Sequence, residues 1–272
     1  MLGKLLKYEL MATGRQLVPA YLATLALSLL AQLFLRFNPL ATFLGGFLAS
    51  TFMFLFFLAI FGLAILTIVL IIQRFYSHML KDEGYLAHTL PVSIDGHILA
   101  KLISATIWSI TSAIVLFLNI FTVSFGQGFW TMIRQEVLPT LWALAQDYPS
   151  QAIISIFAIL VFVVSSILHI YNALAIGQLA NRRKILLSVG AYFGIDFAFS
   201  AVSTAILFVV GSNLLFLEPS HIGIVYSHND YASFIGNVMN FVLIATIAPA
   251  LMRIAVCYPL TRYLLKNKLN LE

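Results

Sequence analysis

The stretch FLASTFMFLFFLAIFGLAILTIVLII, residues 47–72, decides the class of this protein. It carries no charge, and its only hydroxyl side chains are Ser50, Thr51 and Thr67. An apolar run of about 18 residues or more crosses the roughly 30 Å hydrocarbon core of a bilayer as a helix. Within that core every backbone N–H and C=O must be paired internally, which leaves helices or closed barrels. Barrel strands alternate apolar and polar residues. This run does not alternate, so it reads as a membrane-spanning helix.

The same reading extends along the chain. Of its 272 residues, 61% are hydrophobic and 9% charged, against about 25% charged in a soluble domain. Six spans are expected, at about 17–35, 43–73, 98–124, 151–180, 185–211 and 236–261. The second is longer than the hydrocarbon requires, so it tilts or continues as a helix beyond the membrane. The predicted fold class is an all-α polytopic membrane protein, one membrane domain over residues 1–272. No internal repeat or soluble domain is visible. The mixed opening residues precede an apolar run too long for a signal-peptide core, so no cleaved leader is expected.

Charge placement orients the spans. Thirteen of the fifteen Lys and Arg residues fall on one side, among them Lys4, Lys7, Arg15, Arg74, Lys81, Lys101, Arg182, Arg183 and Lys184. Only Arg36 and Arg134 fall on the other. Cytoplasmic loops carry the excess of cations, so both termini are expected in the cytoplasm and the chain in the cell membrane. The opening MLGKLLKYELMATGRQ puts Leu2, Leu5, Leu6 and Leu10 on one stripe with Lys4 and Lys7 off it. This predicts an N-terminal amphipathic helix lying on the inner leaflet; the alternative is an extension of the first span. The outer segment 126–150 places Trp130, Ile133, Val137, Leu141 and Leu144 at helical spacing, with Pro139 expected to kink or divide it; Trp130, Trp142 and Tyr148 suit the outer aromatic belt, with an ordinary surface helix as the alternative. The outer loop at about 212–235 is read as a short helical hairpin or a plain loop.

Several chemistries are missing from the sequence. A phosphate-binding P-loop needs G-x-x-x-x-G-K-[ST], and the only Gly-Lys pair, Gly3-Lys4, has no glycine before it. Neither H-E-x-x-H nor G-x-S-x-G occurs, so no catalytic residue and no metal site is assigned. The basic residues sit at membrane edges without interleaved aromatics, which argues against nucleic acid as a partner. Cys257 is the single cysteine and reads as a small core hydrophobe.

Ionisable residues within spans are costly and mark candidate sites. His169 lies 13 residues before Arg182 and Asp196 lies 13 after Arg183. A hairpin centred on that basic pair puts both at about 20 Å from the turn, at about 1.5 Å per residue. They are expected to face each other, either locking two helices together or handling a proton or substrate. Asn119 is expected to bond a second helix, and Arg253 to snorkel to the cytoplasmic edge in preference to pairing with another span. Gly190 and Gly194, in GAYFG, form a small-xxx-small motif read as helix packing.

The polar loop between spans two and three runs KDEGYLAHTLPVS, residues 81–93. Pro91 disfavours helix at Leu90. Acids are placed to open a short helix over 82–89, which suits its dipole, the alternative being a solvated turn, and Ser93 is placed to cap the helix that comes next. The pattern Glu83-Gly84, a short helix from Tyr85 to His88, Thr89-Leu90-Pro91-Val92-Ser93, and then Lys101-Leu102 resembles the permease subunits of bacterial type 2 ABC transporters. The N-terminal amphipathic helix and the six-span topology are similar to that family over the whole chain.

The resemblance implies the type 2 ABC exporter architecture. The short helix would be a coupling helix docking on a separate ATPase subunit, with Asp82, Glu83, Gly84, Tyr85, Leu86, His88 and Pro91 forming the coupling site. ATP and Mg would be bound by that partner, leaving this chain without a cofactor of its own and without enzyme activity. A second permease chain, identical or not, would complete the membrane part. The family's cargoes range over drugs, lipids, polysaccharides and antimicrobial peptides. The outer segment at 126–150 is longer than the family's usual turn. The competing readings are a proton-coupled secondary transporter using His169 and Asp196, a non-transporting sensor or immunity protein, and, weakest, an intramembrane enzyme.

Overall fold

The computed structural model describes residues 2–36, 43–80, 93–124, 128–180, 182–216 and 228–267. Every element among them is helical: α1 Leu2–Arg36, α2 Phe43–Leu80, α3 Ile94–Ser124, α4 Phe129–Met132, a π-helical turn Ile133–Val137, α5 Leu138–Asp147, α6 Pro149–Gly177, α7 Lys184–Phe216 and α8 His228–Asn267. Six are long and apolar enough to cross a membrane: Gly3–Leu35, Gly45–Leu80, Ile94–Ser124, Pro149–Gly177, Lys184–Val209 and Val238–Asn267. The chain is thus a multi-pass helical membrane protein, with spans where the apolar runs put them.

Two differences from the sequence expectation arise. The N-terminal stripe does not form a helix of its own, because α1 runs unbroken for 35 residues, about 50 Å at 1.5 Å per residue. Residues 1–16 are expected on the membrane surface; the described ones instead extend the first span. Thr13 and Leu17 are buried within the chain, so this part of α1 spends its contacts on its neighbours. The expected outer hairpin is also shortened from both sides. α7 continues to Phe216 and α8 starts at His228, while 217–227 lies outside the described residues.

The helices gather into two compact units, Met1–Trp142 and Ala143–Glu272. In the first, α1 packs mainly on α3 and also on α2. Its core joins Leu17 and Tyr21 of α1 to Leu63 and Leu70 of α2 and Val115 of α3. A second cluster, nearer the other ends, joins Ala31, Phe56 and Val123. Gly14 lets α1 approach α3 closely, since a Cβ there would sit 2.9 Å from the Trp108 ring. In the second unit α6 is the central helix, packing chiefly on α8 and also on α7. Leu168, Tyr171, Ala175 and Cys257 are buried in it.

Candidate functional site

All seven residues expected to couple to an ATPase, Asp82, Glu83, Gly84, Tyr85, Leu86, His88 and Pro91, lie outside the described residues. The stems that hold their loop are described. α2 ends with Phe75, Met79 and Leu80 buried. On the far side, Ser93 Oγ accepts the N–H of Gly96 at 3.2 Å, the third helical position, which caps α3 as its sequence predicts.

A single buried amine ties both stems to α1. Lys101, two turns into α3, sits 2.5 Å from Glu9 Oε1, and the two side chains are 5% and 11% exposed. Its ammonium also donates to the carbonyl of Arg74 in α2 at 3.4 Å. The backbone of Glu9 is held in turn, its carbonyl accepting from Thr13 Oγ1 at 3.0 Å. An ammonium this buried is tolerated only with a carboxylate against it and its remaining protons hydrogen-bonded. The contact therefore fixes three helices relative to one another near the ends that enter and leave the 81–92 loop. In the sequence Lys101 stands out only as part of a motif. Glu9 carries one signal of its own: it is the sole acidic residue before Asp82.

Deeper in the same unit a hydroxyl chain crosses the three helices. Tyr21 and Ser112 share a 2.6 Å hydrogen bond, and Ser112 shares a second of 2.9 Å with Thr67. Thr67 Oγ1 also lies 2.9 Å from the carbonyl of Leu63, to which it donates. Asn119 of α3 donates to Thr24 of α1 at 3.3 Å and to its own helix at the Val115 carbonyl. These hydroxyl groups and the Asn119 amide N–H find neighbours within the chain because the hydrocarbon offers no water.

The second unit revises two expectations. His169 and Asp196 share no hydrogen bond. His169 Nε2 bonds the Tyr192 carbonyl at 3.1 Å, with the two rings 4.5 Å apart. The reason lies in the turn. Helix α6 ends at Gly177 and α7 begins at Lys184, so the link is centred before Arg182-Arg183. Counted from the helix ends, His169 lies eight residues back and Tyr192 eight residues forward, which makes them level. Asp196 is one turn deeper.

Nor does Arg253 snorkel. Its Nη2 donates to Asp196 Oδ1 at 3.1 Å, and its guanidinium lies over the Phe199 ring at 5.6 Å. A guanidinium within a span gains more from a fixed carboxylate and an aromatic face than from a long reach to water. This pair is looser than the one in the first unit, its side chains being 20% and 43% exposed. Cys257 is buried and accepts a hydrogen bond from Asn172 Nδ2 at 3.4 Å. Among the described residues no group of three or more His, Cys, Asp or Glu is placed to hold a metal.

The glycine motif packs against nothing: an added Cβ at Gly190 or Gly194 meets no atom within 4 Å. The close approach is at Gly177, where a Cβ would fall on Ser188 Oγ and lie 2.8 Å from the Lys184 carbonyl. No family model, curated protein or solved structure matches the chain.

Proposed function

We propose that this chain is the membrane-spanning permease subunit of an ATP-driven exporter, working with a separate ABC ATPase and a second permease chain. On this reading the termini and the 81–92 loop face the cytoplasm, as the distribution of Lys and Arg indicates. The loop is the docking element, and ATP-driven closure of the ATPase pair pushes on it. The observation that carries the reading is the Glu9–Lys101–Arg74 contact. A lever needs stiff attachment to what it moves, and this contact binds both stems of the loop to the first span. A push on the loop would then displace α1, α2 and α3 together.

The test begins with co-purification of the chain with an ABC ATPase encoded beside it. In the reconstituted complex, Glu83→Lys is expected to abolish cargo-stimulated ATPase activity while membrane insertion is unchanged. Unaltered stimulation in that variant would defeat the proposal. The proton-coupled alternative predicts transport driven by a pH gradient with no ATPase present. It has lost its simplest relay, because His169 and Asp196 each bond another group.

A further inference from the structure

The helical segment between the third and fourth spans, residues 129–147, is unlike the other described helices. None of its residues is buried, yet it exposes Trp130, Leu138, Leu141 and Trp142, the last 68% accessible. Exposed side chains of this size need a cover, and three observations indicate which.

The first is a fold-back. Gly128 adopts φ +76 at the entrance to the segment, a left-handed conformation that glycine takes without strain. The chain beyond it returns to the end of α3. There the Trp130 ring meets the Phe121 ring edge-on at 5.6 Å, and Phe129 meets it at 6.4 Å. Phe121 lies in the last turn of α3, which ends at Ser124. The start of the segment is therefore held level with the end of a span, at the height of the bilayer interface, and does not project into water.

The second is the π turn. Pro139 has no N–H, and its ring would strike the carbonyl four residues earlier in a regular helix. The chain answers with an i→i−5 bond from the Leu138 N–H to the Ile133 carbonyl, so the helix bends without breaking. In an unbroken α-helix Leu138 and Trp142 would lie about 80° and about 120° around from Trp130. One extra residue in the turn rotates the rest of the segment by about 100°. Trp130, Leu138 and Trp142 then fall within about 20° of one line. Of the stripe that unbroken periodicity predicts, Trp130 stays on this edge, while Ile133, Val137, Leu141 and Leu144 give way to Leu138 and Trp142.

The third is charge. The segment holds Arg134, Glu136 and Asp147, too few cations to attract anionic headgroups and too few charges for a fully solvated helix. Tryptophan and leucine on one edge of a sparsely charged helix suit the boundary between headgroups and acyl chains.

We infer that residues 129–147 form an interfacial helix lying in the bilayer surface on the side away from the chain termini, with Trp130, Leu138 and Trp142 as its immersed edge. Its partner is the lipid surface, zwitterionic lipid included. This inference does not depend on the chain being an ABC permease. The test places a nitroxide label at Leu138→Cys, Trp142→Cys and Thr140→Cys in turn, in a Cys257→Ala background, with the protein in phosphatidylcholine bilayers. Labels at 138 and 142 are expected to collide with oxygen severalfold more, relative to a water-soluble nickel complex, than the label at 140. Equal nickel access at all three sites would show a solvated loop and overturn the inference. Shielding of all three from both reagents would show a protein cover and overturn it too. Should a labelled variant misfold, brominated phosphatidylcholine with the unlabelled protein keeps the question open to refutation. Bromines near the carbonyls should quench the native fluorescence, and Trp142→Phe should remove part of that quenching. If Trp142→Phe leaves the quenching unchanged, the tryptophan is outside the lipid and the inference fails.

Discussion

Each half of the chain holds an ion pair between described helices, and the two pairs are built differently. Glu9 and Lys101 are almost wholly enclosed, with a backbone carbonyl as third partner. Asp196 and Arg253 are in part open at the helix surface, and the third partner is an aromatic ring beneath the guanidinium. The first resembles a weld and the second a contact that is free to rearrange. The hydroxyl chain from Tyr21 through Ser112 to Thr67 extends the weld toward the middle of its three helices. The three helices of the first unit are thus tied by enclosed polar contacts at two levels.

The comparison is broken most directly by removing one partner of the enclosed pair. Lys101→Met should cost about 3–5 kcal/mol, the usual result of leaving a buried charge alone, measured by equilibrium unfolding in mixed micelles. The double variant Glu9→Gln/Lys101→Met should recover much of that loss, since both charges are gone. Arg253→Met should cost less than Lys101→Met, because the pair it breaks is the less enclosed of the two. Equal costs would erase the distinction between the two halves.

A second test lies in the turn between α6 and α7. Gly177→Ala forces a methyl onto Ser188 and against the Lys184 carbonyl. Overpacking of this kind costs about 1–3 kcal/mol. Gly190→Ala, in open space, should be neutral or slightly stabilising, since alanine is the better helix former. A larger loss at Gly190 would restore the motif as a packing site. The smallest effect is expected at Tyr21→Phe. Ser112 keeps its bond to Thr67, so the loss should be near the roughly 0.6 kcal/mol typical of hydrogen bonds between membrane helices. A loss several times larger would mean that the hydroxyl chain acts as one unit.

Much of this protein is legible in its sequence because lipid imposes a severe filter. A run such as 47–72 has one stable fate, and all six spans appear near the positions that composition assigns. Local rules are as readable: Ser93 caps α3 because a hydroxyl before a helix meets an unpaired N–H. The contacts between helices are harder to read. A pairing of His169 with Asp196 requires a turn centred at Arg182-Arg183, and a displacement of two residues moves the partner to Tyr192. Glu9 stands out by its isolation but gives no hint of which cation it seeks. GAYFG looks like a packing motif, while the close approach belongs to Gly177, in ALAIG, whose small residues at the same spacing do not set it apart from GAYFG.

Composition and local spacing settle what each segment is: a span, a cap, a charged edge, a helical link between spans. Hydrophobic transfer and local hydrogen bonding act over a few residues and leave a readable pattern. Which polar groups meet is settled only once the helices have packed. That depends on where each helix ends and on its rotation, and an error of one residue turns a side chain by about 100°. The π turn before Pro139 shows this within a single segment. One residue of register leaves Trp130 on the apolar edge but exchanges Ile133, Val137, Leu141 and Leu144 for Leu138 and Trp142.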